Sequence, residues 1–318
     1  MVFMRKVLLI FLALLLAACA RTEQPLVRIG INPWPGYELL YLAQQLDLYK
    51  QAGLNVEIVQ LSSLADTQRA FLQERIDGMA STLIEASVVA SRSAQPLQIG
   101  LIPDYSAGAD VIIARHHIRN MQGLKGQVVG AELQSLGVVL LARALASNGM
   151  GFADIRLRNV EQADVLQAMA SGDVQAVVSY PPESVKLLDK TGHHVVFSST
   201  EIPNEIIDVV VFRTGRQVDA AWLQKFRAVW HQAYSYWQAN PLEAVALMAK
   251  REGLSAQEFN QALAGMQVLD IQQQEALLAE GSGLLQTIVG TCDVLQNVVQ
   301  MNIDCERVKN NLLIQGHE

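Results

Sequence analysis

The sequence predicts an α/β fold of two lobes followed by a helical C-terminal region, and three observations predict it. The chain has 318 residues, more than one core of about 250–300 residues comfortably holds. Short apolar runs alternate with amphipathic helical patterns, which implies parallel strands with right-handed crossovers. Residues 97–115 set two Ile- and Val-rich runs on either side of a polar, small-residue link at 104–110, which can bend and approach a ligand. A later apolar run at 206–213 can carry the chain back. The expected division is residues 26–112 with 206–318 in the first lobe and 113–205 in the second.

The elements follow in order. A first strand at 27–32 ends at Pro33-Trp34-Pro35-Gly36, and a helix with an apolar face runs over 37–52 to Gly53. The second strand is 56–61, and Ser63 with Asp66 reads as the cap of a helix over 64–75. Residues 79–82 are a short strand, and Thr82 with Glu85 forms a capping box that opens the helix to 93. Beyond the hinge the pattern restarts, with strands at 127–132, 155–160, 176–180 and 194–198. Helices lie between them, one starting after Ser135 and one at Pro181-Pro182. From 219 onward nothing reads as a strand. Helical patterns cover 219–239, 242–251, 255–266, 271–280 and 284–313.

The N-terminus reads as an export signal. Met4-Arg5-Lys6 is basic, residues 7–16 are apolar but too short to span a bilayer, and Leu16-Ala17-Ala18-Cys19 is a small-residue cleavage site. This pattern resembles the bacterial lipoprotein box, which implies residues 1–18 as signal peptide, Cys19 acylated (palmitate included) and 19–25 as a tether to a membrane. The alternative is an ordinary secretory signal. An exported chain sits in an oxidising compartment, so Cys292 and Cys305 are candidates for a disulfide, against the alternative of two buried thiols on adjacent helices. A net charge of −7 without a Lys/Arg cluster argues against nucleic acid.

Ligands of open parallel sheets lie outside the carboxyl ends of the strands, where helix N-termini offer free N–H groups. The candidate ligand-binding residues at those ends and in the hinge are Trp34, Gly36, Tyr37, Thr82, Asp104, Tyr105, Ser106, Gln134, Ser135 and Tyr180. Thr82 and Ser135 also have the simpler reading of helix caps, and Glu85 that of a capping-box partner. No catalytic motif is present. The His116-His117 and His193-His194 pairs point to opposite sides of a strand, so neither metal nor cofactor is expected and the absence of a catalytic set argues for binding.

Taken together, Trp34-Pro35-Gly36-Tyr37-Glu38 before a helix, Asp104-Tyr105-Ser106-Ala107-Gly108-Ala109-Asp110, Leu124-Lys125-Gly126 before a strand, and residues 198–208 resemble the nitrate/taurine/sulfonate-type substrate-binding proteins of ABC transporters. The resemblance covers roughly residues 27–213. It implies a type II periplasmic-binding-protein fold, two lobes closing on a small molecule in a cleft, and a monomeric periplasmic lipoprotein that serves an inner-membrane permease. Relatives carry a glutamate where this chain has Tyr180-Pro181-Pro182, so only Tyr180 is carried over, as an aromatic wall. A ligand sensor docking on a signalling receptor is the alternative client. A pyrimidine-synthase-type enzyme is disfavoured because no cysteine lies between Cys19 and Cys292. The expected cleft loops hold Glu38, Glu85, Asp104, Asp110, Glu132, Glu183, Glu201, Glu205 and Asp208 but no Lys or Arg, which favours a nitrogen-containing ligand over an anion.

Overall fold

The structure, a computed structural model, describes residues 24–214, 217–279 and 281–314. The leader, Cys19 and all of the tether except 24–25 lie outside them. In chain order the first lobe begins with β1 (Val27–Ile31), α1 (Glu38–Gln45), α2 (Leu48–Gln51), β2 (Val56–Gln60), α3 (Leu64–Leu72), β3 (Gly78–Thr82), α4 (Leu83–Arg92) and β4 (Leu97–Leu101). The chain crosses through β5 (Asp104–Ser106) to β6 (Val111–Arg115), β7 (Val128–Ala131), α5 (Leu136–Ser147), β8 (Arg156–Asn159), α6 (Val165–Ser171), β9 (Ala176–Ser179), α7 (Glu183–Leu188) and β10 (His193–Ser198). It returns in β11 (Asp208–Arg213). The C-terminal region then adds α8 (Ala220–Ala239), α9 (Pro241–Glu252), α10 (Ala256–Leu263), β12 (Met266–Val268), α11 (Ile271–Leu278), α12 (Leu284–Asp293), α13 (Cys305–Asn311) and β13 (Leu312–Leu313).

Two main sheets result, one of six strands in the order β13-β4-β11-β3-β1-β2 and one of five in the order β10-β6-β9-β7-β8, with a two-stranded ribbon of β12 and β5 besides. The strands joined by helical crossovers are parallel, as their connections require: β1 pairs with β2 and β3, and β7 with β8 and β9. The strands that arrive from the opposite lobe run the other way. Thus β11 is antiparallel to both β3 and β4, and β6 to both β9 and β10. The expectation of uniformly parallel strands fails at the crossings, because a strand entering from the other lobe meets the sheet from its far end.

All six residues of β11 are buried, which explains its unbroken apolar reading. Phe212 packs edge-on against Trp222 and Phe226 of α8, which seats that helix on the first sheet. Arg213 at the strand's end lies 3.8 Å over the ring of Phe71 and donates to the carbonyls of Phe71 and Ile76, so its charge is buried with partners.

Four further expectations are corrected. The helix over 37–52 divides in two at Asp47, whose φ of 55° is left-handed. The hinge link holds a strand: β5 pairs with β12, where the sequence read a flexible link and the end of a helical pattern with the gap after it. Residues 284–313 are no single helix either. A π-turn at Val294–Val298 follows α12, and α13 restarts only where Asp304 accepts the N–H of Arg307. The disulfide Cys292–Cys305 bridges that break, and β13 extends the first sheet beside β4. Finally, β6 belongs wholly to the second sheet, so the chain leaves the first lobe before Val111. No helix of the described residues is long and apolar enough to cross a membrane.

Candidate functional site

The two crossing segments lie side by side. Ser106 N–H donates to the carbonyl of Ile206, and Tyr105 bridges to Ile207. The Ser106 and Ser199 hydroxyls share a 2.8 Å hydrogen bond, while Ser199 Oγ accepts Gly108 N–H and Ser199 N–H reaches the carbonyl of Asp110. The C-terminal region braces this hinge, since the N–H groups of Ala107 and Ala109 both donate to the carbonyl of Gly265. Side chains alternate along β5, so Asp104 and Ser106 turn inward and are fully buried, whereas Tyr105 points to the other face and is half-buried. Tyr105 therefore does not join the site.

Above the hinge, Trp34 is held between two prolines and opens a 3₁₀ turn. Its indole N–H donates to Asp104 (3.2 Å to Oδ1), and its ring meets Tyr180 of the second lobe edge-on at 5.9 Å between centroids. Gly36 is where Asp104 approaches the turn. A Cβ there would lie 2.0 Å from Asp104 Oδ2 and 2.6 Å from Trp34 Nε1. One residue on, the Tyr37 hydroxyl donates to Asp208 Oδ1.

Glu85 joins the lobes. One oxygen, Oε2, closes the capping box by accepting Thr82 N–H (3.1 Å) and the Thr82 hydroxyl (2.5 Å). The other, Oε1, crosses to the second lobe and accepts the Ser135 hydroxyl and Leu136 N–H, both at 2.7 Å. Ser135 thus stands at the N-cap position of α5 without making the cap hydrogen bond itself. The carboxylate of the opposite lobe satisfies the first amide of that helix instead. Thr82 keeps its predicted capping role. Gln134, also a candidate, is exposed and accepts from Arg92 at 3.3 Å on the rim, so it too lies outside the site.

The expected surplus of cleft carboxylates narrows to five. Glu38 turns away to Arg251 (3.0 and 2.8 Å), Glu205 pairs with Arg143, Glu183 with Lys186, and Glu201 caps its own turn at Ser198. Glu85, Asp104, Asp110, Glu132 and Asp208 remain, each at most 5% exposed. Burial pushes the carboxyls of Asp104 and Asp110 up to about 7, with the charge of Asp110 adding to the first and that of Glu85 to the second. Burial likewise raises Glu132 to about 7, opposed by Ser63. Asp208 is raised by burial and then by Asp104 beside it. Tyr37 is raised by burial and by Asp208, which keeps its hydroxyl a donor.

Several acceptors in this cluster lack a well-formed hydrogen bond. Both oxygens of Asp110, both of Glu132 and Asp208 Oδ2 are buried without a hydrogen bond of ordinary geometry. The Ser106 hydroxyl does lie near Asp110, those of Ser63 and Ser135 near Glu132, and the carboxyl of Asp104 near that of Asp208. Unpaired buried acceptors cost about 1–3 kcal/mol each, so the arrangement is one that a donor-bearing ligand completes. Of the sequence candidates, Trp34, Gly36, Tyr37, Thr82, Asp104, Ser106, Ser135 and Tyr180 come together around it. Ser63, a strand-end candidate that read more simply as a helix cap, does cap α3 and also lies at the site, whereas Gln162 and Ser199 were not anticipated as part of it. Gln162 donates to the carbonyl of Tyr180 (2.5 Å) and to Ser179 Oγ (3.2 Å), fixing the tyrosine loop, and only a long-range pairing could have shown it. Among the described residues no group of His, Cys, Asp and Glu is disposed to hold a metal ion.

The chain is similar to known proteins along most of its length. A protein of Escherichia coli (strain K12) described as aliphatic sulfonates-binding is 24% identical over 205 residues, 64% of this chain and 59% of that relative's length. A protein of Haemophilus influenzae described under thiamine biosynthesis is 22% identical over 214 residues, 66% of this chain and 68% of its own. The solved alkanesulfonate-binding protein of Xanthomonas axonopodis pv. citri, bound to MOPS, superposes with a TM-score of 0.76 at 19% identity, over 92% of this chain and 99% of that one, which establishes the shared periplasmic-binding-protein fold. The family model described as NMT1/THI5 like matches residues 34–244, more than half of the sequence, and the chain therefore belongs to the NMT1/THI5-like family.

Proposed function

We propose that this protein is the periplasmic solute-binding subunit of an ABC-type importer, which captures a small polar, nitrogen-bearing molecule between its lobes and hands it to an inner-membrane permease. It acts as a monomeric binding protein rather than an enzyme, tethered to the membrane through acylated Cys19. The observation that carries this reading is the set of buried carboxyl oxygens without a hydrogen bond of ordinary geometry where the two lobes meet, at Asp110, Glu132 and Asp208. The fold shared with solved sulfonate-binding proteins supports it. So do the contacts that would part if the lobes swung open: Glu85 to Leu136, Trp34 to Tyr180 and Arg69 to Glu161.

The test is to purify the full-length protein in detergent from its own cell envelope, release bound small molecules by denaturation and identify them by mass spectrometry. X-ray scattering with and without the recovered molecule should show compaction on binding. Identical scattering profiles and no recovered molecule would overturn the reading. The anchor is tested separately by Cys19→Ala, which should move the protein to the soluble fraction, and an unmodified soluble native chain by intact mass would overturn it.

A further inference from the structure

We infer that the ligand of this cleft is a small organic cation, a protonated amine or amidinium, held by Asp110, Glu132 and Asp208 with Trp34 and Tyr180 as walls. The inference rests on the binding-protein reading above and narrows it to a charge class. Its first support is how the molecule treats its other acids. Glu38 has Arg251, whose charge also acts on the buried Glu252, while Glu205 has Arg143, Glu183 has Lys186 and Glu161 has Arg69. Among the described residues the five cleft carboxylates have no cation of the protein's own within ion-pairing distance, although they are far more buried than most of those paired acids. Burying unpaired carboxylates is costly, and an external cation offsets that cost.

The second support comes from where an anion would have to sit. In a fold of this kind an anion is held at helix N-termini, where free N–H groups and the positive dipole end converge. Here the starts of α4 and α5 are already occupied by a carboxylate from the chain itself. Glu85 accepts the Thr82 amide with one oxygen and the Leu136 amide with the other. At those two helix starts a sulfonate or nitrate would have to displace Glu85, with four more acids in the same cluster.

The third support is the balance of donors and acceptors. The oxygens without a well-formed hydrogen bond at Asp110, Glu132 and Asp208 are acceptors on three separate segments, two at the crossings and one on the loop after β7, and they outnumber the one buried hydroxyl in the site left in the same state, that of Tyr180. A ligand carrying several N–H donors on a positive centre fills such a set, and an indole and a phenol ring meeting at 81° give it aromatic faces. The same acids do not converge on a point as metal ligands would, which favours an extended organic cation.

The full-length protein in detergent is titrated at pH 6 and pH 8 with putrescine, benzamidine and choline as cations, ethanesulfonate and nitrate as anions, and uracil as a neutral heterocycle. Thermal shift and calorimetry are read together. At least one cation should stabilise the protein and bind more tightly at pH 8 than at pH 6, and the anions should do neither. Asp110→Asn should weaken that cation by about thirtyfold or more while the unliganded variant still unfolds cooperatively at or above the parent temperature. Stabilisation by ethanesulfonate, nitrate or uracil with none by a cation overturns the charge class and leaves the binding-protein reading standing. Silence from all six probes, together with no molecule recovered from the native protein, overturns both. Unchanged cation affinity in Asp110→Asn overturns the role of the acid cluster.

Discussion

Glu85 Oε1, on the first lobe, lies 2.7 Å from the backbone nitrogen of Leu136, on the second, and takes the place that a capping hydroxyl usually holds at a helix start. Its other oxygen caps its own helix, so one fully buried side chain serves two helix N-termini in two lobes. Both halves of this arrangement depend on charge, because hydrogen bonds from neutral donors to a carboxylate are worth about twice those to a neutral acceptor.

Glu85→Ala leaves the donors of Thr82, Ser135 and Leu136 without this acceptor and should cost about 3 kcal/mol in urea unfolding. It should also raise the radius of gyration of the unliganded protein by letting the lobes part. Glu85→Gln keeps an acceptor of similar shape and should fall between the two. A variant with unchanged stability and unchanged scattering would show that Glu85 does not hold the lobes together.

Gly36→Ala tests the crowding at the Trp34 turn. The added methyl would sit 2.0 Å from Asp104 Oδ2, so the Trp34–Asp104 hydrogen bond must give way. Overpacking of this kind costs about 1–3 kcal/mol. Ligand affinity should drop more than stability does, because the displaced groups are cleft groups. Indole fluorescence should report the move directly, and an unshifted Trp emission with full binding would refute it.

The capping box at Thr82, the tryptophan turn and the alternation of strands and helices were legible in the sequence because each is a local pattern of adjacent residues. The partnering of β5 with β12 was not. Residues 266–268 carry no strand signal of their own and pair only because α10 delivers them to the hinge. Likewise Glu85 read as a cap and nothing more, since its second pair of hydrogen bonds spans fifty residues of sequence. The acid surplus was visible as composition, but Glu38 could be told from Asp110 only once Arg251 was seen to lie 213 residues away and in contact.

The raised carboxyls set a pH dependence. Asp104, Asp110 and Glu132 titrate near 7 in the folded protein, far above their ordinary values of 3.8, 3.8 and 4.5. The folded state therefore binds more protons than the unfolded chain between those limits. Their contribution to stability is fully present below about pH 4 and is lost as pH rises through 7. The melting temperature of the unliganded protein should fall by several degrees between pH 5 and pH 8, apart from any change at other groups. Asp110→Asn should flatten that slope, and a parent and variant with parallel pH profiles would show that Asp110 does not carry it.

Two arginine–glutamate pairs of similar geometry should behave differently on mutation. Arg251 is 8% exposed in its side chain and Glu38 not at all, whereas Arg143 and Glu205 are 34% and 37% exposed. Arg251 also lies 4.9 Å over the ring of Tyr41, and the carboxyl of Glu252 packs against Glu38 and the backbone of Trp34. Removing Arg251 as Arg251→Leu leaves two buried carboxyls with no cation between them, and breaking a buried pair in this way costs about 3–5 kcal/mol near pH 7. Burial already raises both carboxyls even with Arg251 present, with the charge of Glu38 adding to the shift at Glu252. Without the arginine they rise further, so the cost should shrink as pH is lowered to 5 and both become neutral. Arg143→Leu removes a solvent-screened partner and should cost about 0–1 kcal/mol, a loss that fades in high salt. Urea unfolding of both variants at pH 5 and pH 7.5, with and without added salt, separates the two cases. Equal losses at pH 7.5 would mean that burial does not govern these pairs. A loss at Arg251 that stays constant from pH 7.5 to pH 5 would mean that its partner carboxyls are not what the arginine neutralises.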